Sequence, residues 1–258
     1  MRSLRNWRMG LVVLLAAIGS AAIASAAGPI DLHDGGDLHE GISQTDPGTQ
    51  LQSGSTYRAS RFPVAVSIRA PDAFWGGVQH ESGNYRFVQL AHQHRAGAPP
   101  LSGVGYITLE SATVATPSAA KTLANLRATP HMSFGPTKAV TVAGLHGKMF
   151  DATVTGSDLS GTCPGGGACP KVVSFAPFLA NGHCGFCGDA KFEPRETHDV
   201  KAALEGQLFR VIVLTAHRKV LVIYIESIYA IQKKFPPAKL FPTFLPYAQK
   251  MLAGISLS

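Results

Sequence analysis

The chain has 258 residues, of which 15% are charged, and it carries a formal net charge of +7 with only four cysteines. This length is enough to bury one sizeable hydrophobic core. The basic residues are scattered, and no run is longer than Lys233 and Lys234. Nucleic-acid binding requires a clustered basic face, so we exclude nucleic acids as partners.

The N-terminus has the three parts of a secretory signal peptide. Three arginines form a basic start, an apolar run covers residues 9–23, and small residues occupy 24–26. This order predicts a signal peptide over residues 1–26 and a secreted, extracellular or cell-envelope location. Its removal lowers the net charge from +7 to +4, because it contains three arginines and no acidic residue. No other stretch is long and apolar enough to span a bilayer, so we predict no integral membrane segment after cleavage.

Residues 27–56 are rich in Gly, Asp, Ser and Gln and contain few apolar residues. This composition predicts a flexible N-terminal segment. Five side chains here could bind a metal loosely, but we favour a solvated segment; they are His33, Asp34, Asp37, His39 and Glu40. We place a single folded domain at residues 57–258.

The first strand of that domain is predicted at 62–68, where apolar residues alternate with polar or small ones. Residues 74–77 follow as a turn with two large aromatics. Trp75 is either part of a binding site or an anchor packed on the core, and we favour the anchor because Trp dominates cores by buried area.

A second strand is predicted at 86–91, and His92 and His94 follow on one side of the extended chain. Such a pair can chelate a metal, but no third ligand is near in sequence, so we favour an exposed strand end and predict no metal and no cofactor. Trp75, His92 and His94 are our candidate binding residues. Residues 105–110 form a third strand candidate.

Four further elements are predicted: a helix, a hairpin, a strand and a closing helix. Thr116 can cap a helix over 116–127, with a proline at its first position. A Gly-containing turn predicts a hairpin over 139–154, and 171–178 reads as a strand. Helical spacing of apolar residues predicts an amphipathic helix over 241–257, with Pro246 near its first turn.

Residues 208–229 form two β-branched, apolar runs joined by a polar turn at 217–219, which predicts a β-hairpin. Neither run alternates cleanly, so both faces must be covered. We therefore expect this hairpin at the centre of a sheet, with the helices at 116–127 and 241–257 as its cover.

All four cysteines lie in a loop at 157–200. They are Cys163, Cys169, Cys184 and Cys187. An even count in an exported chain predicts two disulfides, either local (163 with 169, 184 with 187) or crossing between the two pairs. We favour the crossing schemes because a bond within Cys-Gly-Phe-Cys closes a small, strained ring.

The same cysteines allow two other interpretations. The spacing of Cys184 and Cys187 is that of thiol–disulfide exchange enzymes, although the following Gly188 and Asp189 do not favour the usual helix. Four thiolates, or three with His183, could hold zinc, but the first pair is too widely spaced for a tight knuckle.

No catalytic sequence motif is present: the chain has no Gly-x-Ser-x-Gly, no His-Glu-x-x-His and no phosphate-binding glycine loop between a strand and a helix. Glu226, late in the second central strand, is either polar at a strand end or a buried carboxylate, and we favour the first. A His-Ser-Asp set remains possible in space, since the ten histidines are dispersed.

The order of these elements resembles a group of exported actinobacterial proteins of unknown function. The likeness rests on Pro-Asp-Ala-Phe-Trp at 71–75, Val-Thr-Val-Ala-Gly-Leu-His-Gly at 140–147, the cysteine loop and the closing Met-Leu-Ala-Gly-Ile-Ser-Leu. It covers roughly residues 57–258 and departs at His217 and Arg218, where a glycine-containing turn is expected. More distantly the chain resembles the PsbP-like sandwich, which implies an α+β fold: a largely antiparallel sheet with helices packed on it. The group supplies no catalytic residues.

These observations predict a secreted, non-catalytic binding or accessory protein of the cell envelope, with an unidentified envelope or extracellular ligand. The alternatives are a thiol–disulfide exchange enzyme using Cys184 and Cys187, and a metal-binding protein. Activity is expected in the loops at 72–80, 91–98 and 157–200.

Overall fold

The computed structural model describes residues 28–35, 50–82, 85–92, 104–113, 117–156, 172–175, 177–178, 201–227 and 237–258. The strands in this part of the chain are β1 (Ile30–Asp31), β2 (His33–Asp34), β3 (Thr56–Ala59), β4 (Val66–Arg69), β5 (Trp75–Ser82), β6 (Tyr85–His92), β7 (Gly105–Ala112), β8 (Met132–Phe134), β9 (Lys138–Val142), β10 (Leu145–Val154), β11 (Val172–Phe175), β12 (Lys201–Leu204), β13 (Leu208–Ala216), β14 (Lys219–Ser227) and β15 (Ile255–Leu257). The helices are α1 (Ala119–Arg127) and α2 (Pro237–Ala253).

Strands dominate the fold: they hold 53% of the described residues, and the two helices hold 17%. The expected α+β, PsbP-like sandwich is therefore wrong, and the fold is mainly β. The difference comes from short strands such as β1, β2 and β15, which are too short to show an alternating pattern. Neither described helix has the length and apolarity that a membrane span requires.

The larger sheet has nine strands in the order β2-β5-β6-β7-β14-β13-β10-β8, and β9 also pairs with β10. Its β2 and β5 are parallel, and its other neighbours are antiparallel. The hairpin of β13 and β14 lies at its centre, between β10 and β7. The prediction of a central hairpin at this place is confirmed.

The smaller sheet has four strands in the order β1-β3-β4-β15. Its first strand, β1, is separated from β2 of the larger sheet only by Leu32, which is 3% exposed. Residues 30–34, which we call the bridging segment, therefore join both sheets. They fall within the segment that composition predicted to be flexible.

Apolar side chains cover both faces of the central hairpin. On one face, Ile212 and Ile223 belong to a core that includes Phe244 and Met251 of α2. On the other face, Val211 and Val222 pack in a cluster with Leu126 of α1. We call these the α2 face and the α1 face. The expected helices thus cover the hairpin, one on each side.

Several element boundaries differ from the predicted ones. Trp75 begins β5 instead of lying in a turn, because the glycines after it fit a crowded strand: a Cβ at Gly77 would lie 3.1 Å from the side chains of Leu32 and Leu90. The cap of α1 is Ser118, whose hydroxyl accepts the backbone N–H of Lys121 at 3.2 Å. The closing helix ends at Ala253 and β15 follows, so Pro246 lies inside the helix and not in its first turn.

The turn of the central hairpin has two residues, His217 and Arg218, with φ angles of 47° and 68°. Positive φ at both central residues defines a type I′ turn, which matches the twist of the strands but normally uses Asn and Gly. The β9–β10 hairpin, predicted from its glycine, uses the same conformation at Ala143 and Gly144.

Candidate functional site

Trp75 and His92, two of the predicted binding residues, lie opposite each other on β5 and β6. Their ring centroids are 4.9 Å apart, and they are 0% and 3% exposed. Trp75 is a core residue, as we favoured, and its ring lies 6.2 Å from that of Phe244. His92, by contrast, is buried and does not form an exposed strand end.

The imidazole of His92 is enclosed mostly by aromatic rings. Beyond Trp75, the Tyr247 ring of α2 lies at 4.4 Å and the Phe74 ring at 6.3 Å. The Oδ1 atom of Asp72 lies 4.0 Å from His92 Nε2, which is too long for a hydrogen bond. This aromatic cluster lies at one end of the sheet, beneath α2.

The same row of the sheet continues to Gly105 and Ser227 on the α2 face. A side chain at Gly105 would collide with the backbone of Glu226 and the ring of Phe244, so α2 packs directly on the sheet there. One residue therefore separates Ser227 from His92, and the Ser227 hydroxyl has no hydrogen-bond partner. Asp72, His92 and Ser227 share this end of the sheet, but they do not form a catalytic triad, in which each contact is a hydrogen bond.

The other predicted site residues lie outside the described residues. These are His94, His183 and all four cysteines, Cys163, Cys169, Cys184 and Cys187, so their pairing and any metal or thiol chemistry stay predictions. Within the described ranges, no group of three or more His, Cys, Asp or Glu side chains is arranged to hold a metal ion.

A second group of polar side chains lies on the α1 face, and sequence patterns did not single it out as a group. We call it the polar floor, and its members are Gln89, Thr108, Glu110, Gln207, Tyr224 and Glu226. None of them is more than 5% exposed. The α1 face is thus apolar at Val211 and Val222 and polar at these six residues, and both parts are buried.

Strand register fixes the order of the floor. Gln89, Thr108 and Tyr224 lie opposite one another on β6, β7 and β14. Glu110 follows Thr108 by two residues, and Glu226 follows Tyr224 by two, so all share one face. Because β7 and β14 are antiparallel, the two carboxylates lie on opposite sides of the Thr108 and Tyr224 pair, each about 7 Å along its strand.

The electrostatics of the floor act on Tyr224, which lies between the two glutamates. Burial is the main cause that raises the pKa of Tyr224 well above its usual value of 10. The negative charge of Glu110 and its interaction with the phenol raise the pKa further, and Glu226 adds to this effect. The Tyr224 hydroxyl is therefore neutral at ordinary pH. The carboxylate of Glu226 also has an amide partner: Gln207 Nε2 donates a hydrogen bond to Glu226 Oε2 at 2.8 Å.

One member of the floor stands apart from this network. The Thr108 hydroxyl is buried and has no hydrogen-bond partner, although it lies between Gln89 and Tyr224. A buried hydroxyl without a partner costs about 1–3 kcal/mol, and natural structures rarely keep one without a reason. A bound polar molecule would supply the missing partner.

Sequence contained part of the signal for this group. Glu226 was recognised as either strand-end or buried, and we favoured the strand end; the structure buries it at 3% exposure. The polar positions of β7 and β14 share one face by alternation, but only the pairing of β14 with β7 shows that they meet. In sequence they are more than a hundred residues apart.

The polar floor supplies groups that can form hydrogen bonds or carry charge. The floor offers carboxylate, amide and hydroxyl groups, but the Thr108 hydroxyl contacts no base that would activate it. A scan against protein-family models found no match to the chain, and searches of the curated proteins and of the solved structures found none either.

Proposed function

We propose that this chain is an exported, non-catalytic binding or accessory protein of the cell envelope, and that its ligand binds at the polar floor. Export follows from the signal-peptide pattern at residues 1–26. The observation that supports a ligand site is the Thr108 hydroxyl, buried among polar side chains and without a partner.

Two features favour binding over catalysis. The phenol of Tyr224, like any tyrosine, is protonated near neutral pH, and burial raises its pKa further, so it is a hydrogen-bond donor there and not a base. On the α2 face, Ser227 lies in the same row of the sheet as His92, with Gly105 between them. The Ser227 hydroxyl contacts no general base. The residues that converge can therefore hold a molecule in place through hydrogen bonds and charge.

The test is a search for a ligand that the exported, disulfide-intact protein binds and returns unchanged. We expect native mass spectrometry or a thermal-shift screen of small molecules to find one. At a hundredfold excess over Kd, it should raise the melting temperature by about 5–10 °C.

Thr108→Val is the diagnostic variant, because it removes the hydroxyl and keeps most of the volume. It should lose most of the shift, whereas the control Thr215→Val, at an exposed strand position, should keep it. Conversion of the ligand to a product would show an enzyme. An equal shift in Thr108→Val would exclude the polar floor as the site.

A further inference from the structure

Strand β9 leaves one edge of the larger sheet open. It pairs with β10 on one side, and no other strand in the described part of the chain pairs with its second side. Val142 and Leu145 flank the two-residue turn as a hydrogen-bonded pair, so bonding to β10 alternates along β9. The backbone N–H and C=O groups of Ala139 and Thr141 therefore point away from β10, and both residues are exposed. An edge of this kind can accept a further strand.

The β9–β10 hairpin carries positive charge beside this edge. Lys138 lies on β9, Lys148 lies on β10 opposite Ala139, and both lysines are exposed. Among the described residues, neither lysine forms an ion pair. Asp151 is the one carboxylate of β10, and it already accepts a hydrogen bond from Arg210 at 2.7 Å. Both lysines are therefore available to a negatively charged partner.

The two faces of the edge differ in chemistry. On the α1 face, an open groove of about 490 Å³ is lined by residues 139–141 and 146–148. Ala139 contributes only a methyl group there, so Lys148 and an added strand can meet across it. On the α2 face, Val140 and Leu145 are partly buried and pack against the core. An added strand would meet positive charge on one face and apolar surface on the other.

This arrangement fits an extended peptide in which acidic and apolar residues alternate. Successive side chains of a strand point to opposite faces, so the acidic ones would lie in the groove near Lys148 and the apolar ones beside Val140. A second copy of this chain fits less well, because its own β9 would bring a further Lys138 and Lys148 to the joint. A nucleic acid or a lipid surface has no peptide backbone to pair with Ala139 and Thr141.

We infer that the open edge of β9 binds an extended acidic segment of a partner protein as an additional strand. The backbone groups of Ala139 and Thr141 supply the hydrogen bonds, and Lys148 selects for negative charge. No covalent bond is made or broken. The site is separate from the polar floor, so the inference goes beyond the proposed function and does not depend on it.

The experiment measures the binding of two dye-labelled peptides to the purified, exported protein by fluorescence anisotropy at constant ionic strength. One peptide repeats Glu-Val four times, and the other repeats Lys-Val four times. We expect the Glu-Val peptide to bind at least about tenfold more tightly, because the Lys-Val peptide replaces attraction to the lysines by repulsion.

Lys148→Glu tests the charge. It should weaken binding of the Glu-Val peptide about five- to tenfold, because an attraction is replaced by a repulsion of similar size. The control Lys250→Glu reverses an exposed lysine of α2, away from β9, and should leave the affinity unchanged.

Two changes test the backbone pairing. Ala139→Pro removes an N–H group that points away from β10, so the fold should be kept while peptide affinity falls at least about fivefold. The second change is made in the peptide, by methylating the backbone nitrogens of either the glutamates or the valines. Alternate N–H groups of an added strand face β9, so one methylated form should lose at least about fivefold in affinity and the other should keep it. If Ala139→Pro fails to fold by circular dichroism, the methylated peptides replace it.

Several results would overturn the inference. Equal affinities of the two methylated peptides would exclude strand addition, and equal affinities of the Glu-Val and Lys-Val peptides would exclude selection for acidic segments. An unchanged affinity in Lys148→Glu would place the binding elsewhere, and no binding of the Glu-Val peptide would refute the site. None of these results bears on a ligand at the polar floor, which the Thr108→Val comparison tests, so the two proposals fail separately.

Discussion

Two buried serines on neighbouring strands differ in what their hydroxyls contact. Ser111 on β7 is 0% exposed and donates a hydrogen bond to the carbonyl oxygen of Val220 at 3.1 Å. Ser227 on β14 is 1% exposed, and its hydroxyl has no partner. The same polar group therefore stabilises the sheet at one position and costs free energy at the other.

Alanine substitution should separate these cases. Ser111→Ala loses a buried hydrogen bond and leaves the carbonyl without it, so the free energy of unfolding should fall by about 1–2 kcal/mol. Ser227→Ala removes an unsatisfied hydroxyl, so the free energy should be unchanged or rise by up to about 1 kcal/mol. Urea denaturation measures both. An equal loss in the two variants would mean that the Ser227 hydroxyl has a partner after all.

At the scale of elements, the central hairpin forms although its two turn residues are unfavourable in a type I′ turn. His217 and Arg218 both adopt the left-handed conformation, which costs a residue with a Cβ about 1–2 kcal/mol. The strands compensate, because β13 and β14 are central and mostly buried on both faces. Packing, rather than turn chemistry, therefore keeps these two residues in place.

Arg218→Gly should stabilise the protein. Glycine adopts a φ of 68° without the Cβ penalty, so we expect the free energy of unfolding to rise by about 1 kcal/mol. Thr215→Gly, an exposed position of β13 with ordinary strand geometry, is the control and should lower it by about 0.5–1 kcal/mol. If both glycines destabilise equally in urea titrations, the turn is not type I′.

At the scale of the whole molecule, the sequence predicted those strands and helices that carry strong local patterns. The central hairpin, the β9–β10 hairpin and both helices carry clear apolar or glycine signals, and all of them form. The smaller sheet was missed because β1 and β15 are two and three residues long and gain their stability from partners distant in sequence. Two separately predicted binding residues, Trp75 and His92, lie opposite each other, but the polar floor requires the register of β7 against β14, which no local pattern encodes.

The free energy of unfolding at alkaline pH should reveal the raised pKa of Tyr224. Its pKa is raised well above 10 in the folded protein, first by burial and then by Glu110, while an unfolded tyrosine ionises near 10. Above about pH 10 the unfolded chain therefore loses a proton that the folded protein keeps, and stability falls as pH rises, by up to about 1.4 kcal/mol per pH unit.

Tyr224→Phe removes this contribution, so its unfolding free energy should fall less steeply between about pH 10 and pH 11 than that of the wild type. Tyr57→Phe, on the smaller sheet and away from the glutamates, keeps Tyr224 and should retain the steeper decline. Identical alkaline slopes for wild type and Tyr224→Phe in denaturant titrations at several pH values would contradict the burial of this phenol among carboxylates.

The bridging segment has a mechanical consequence. Residues 30–34 run parallel to β3 in one sheet and parallel to β5 in the other, and Gln79 Nε2 donates to the Leu32 carbonyl at 3.0 Å between them. Ion pairs of Asp31 with Arg58 and of Asp34 with Arg61 add to this attachment. Tension applied at Gly28 along the strand would load the hydrogen bonds to both sheets together, in shear. The bonds would then share the force instead of opening one after another, so the two sheets should resist pulling from this end as one body.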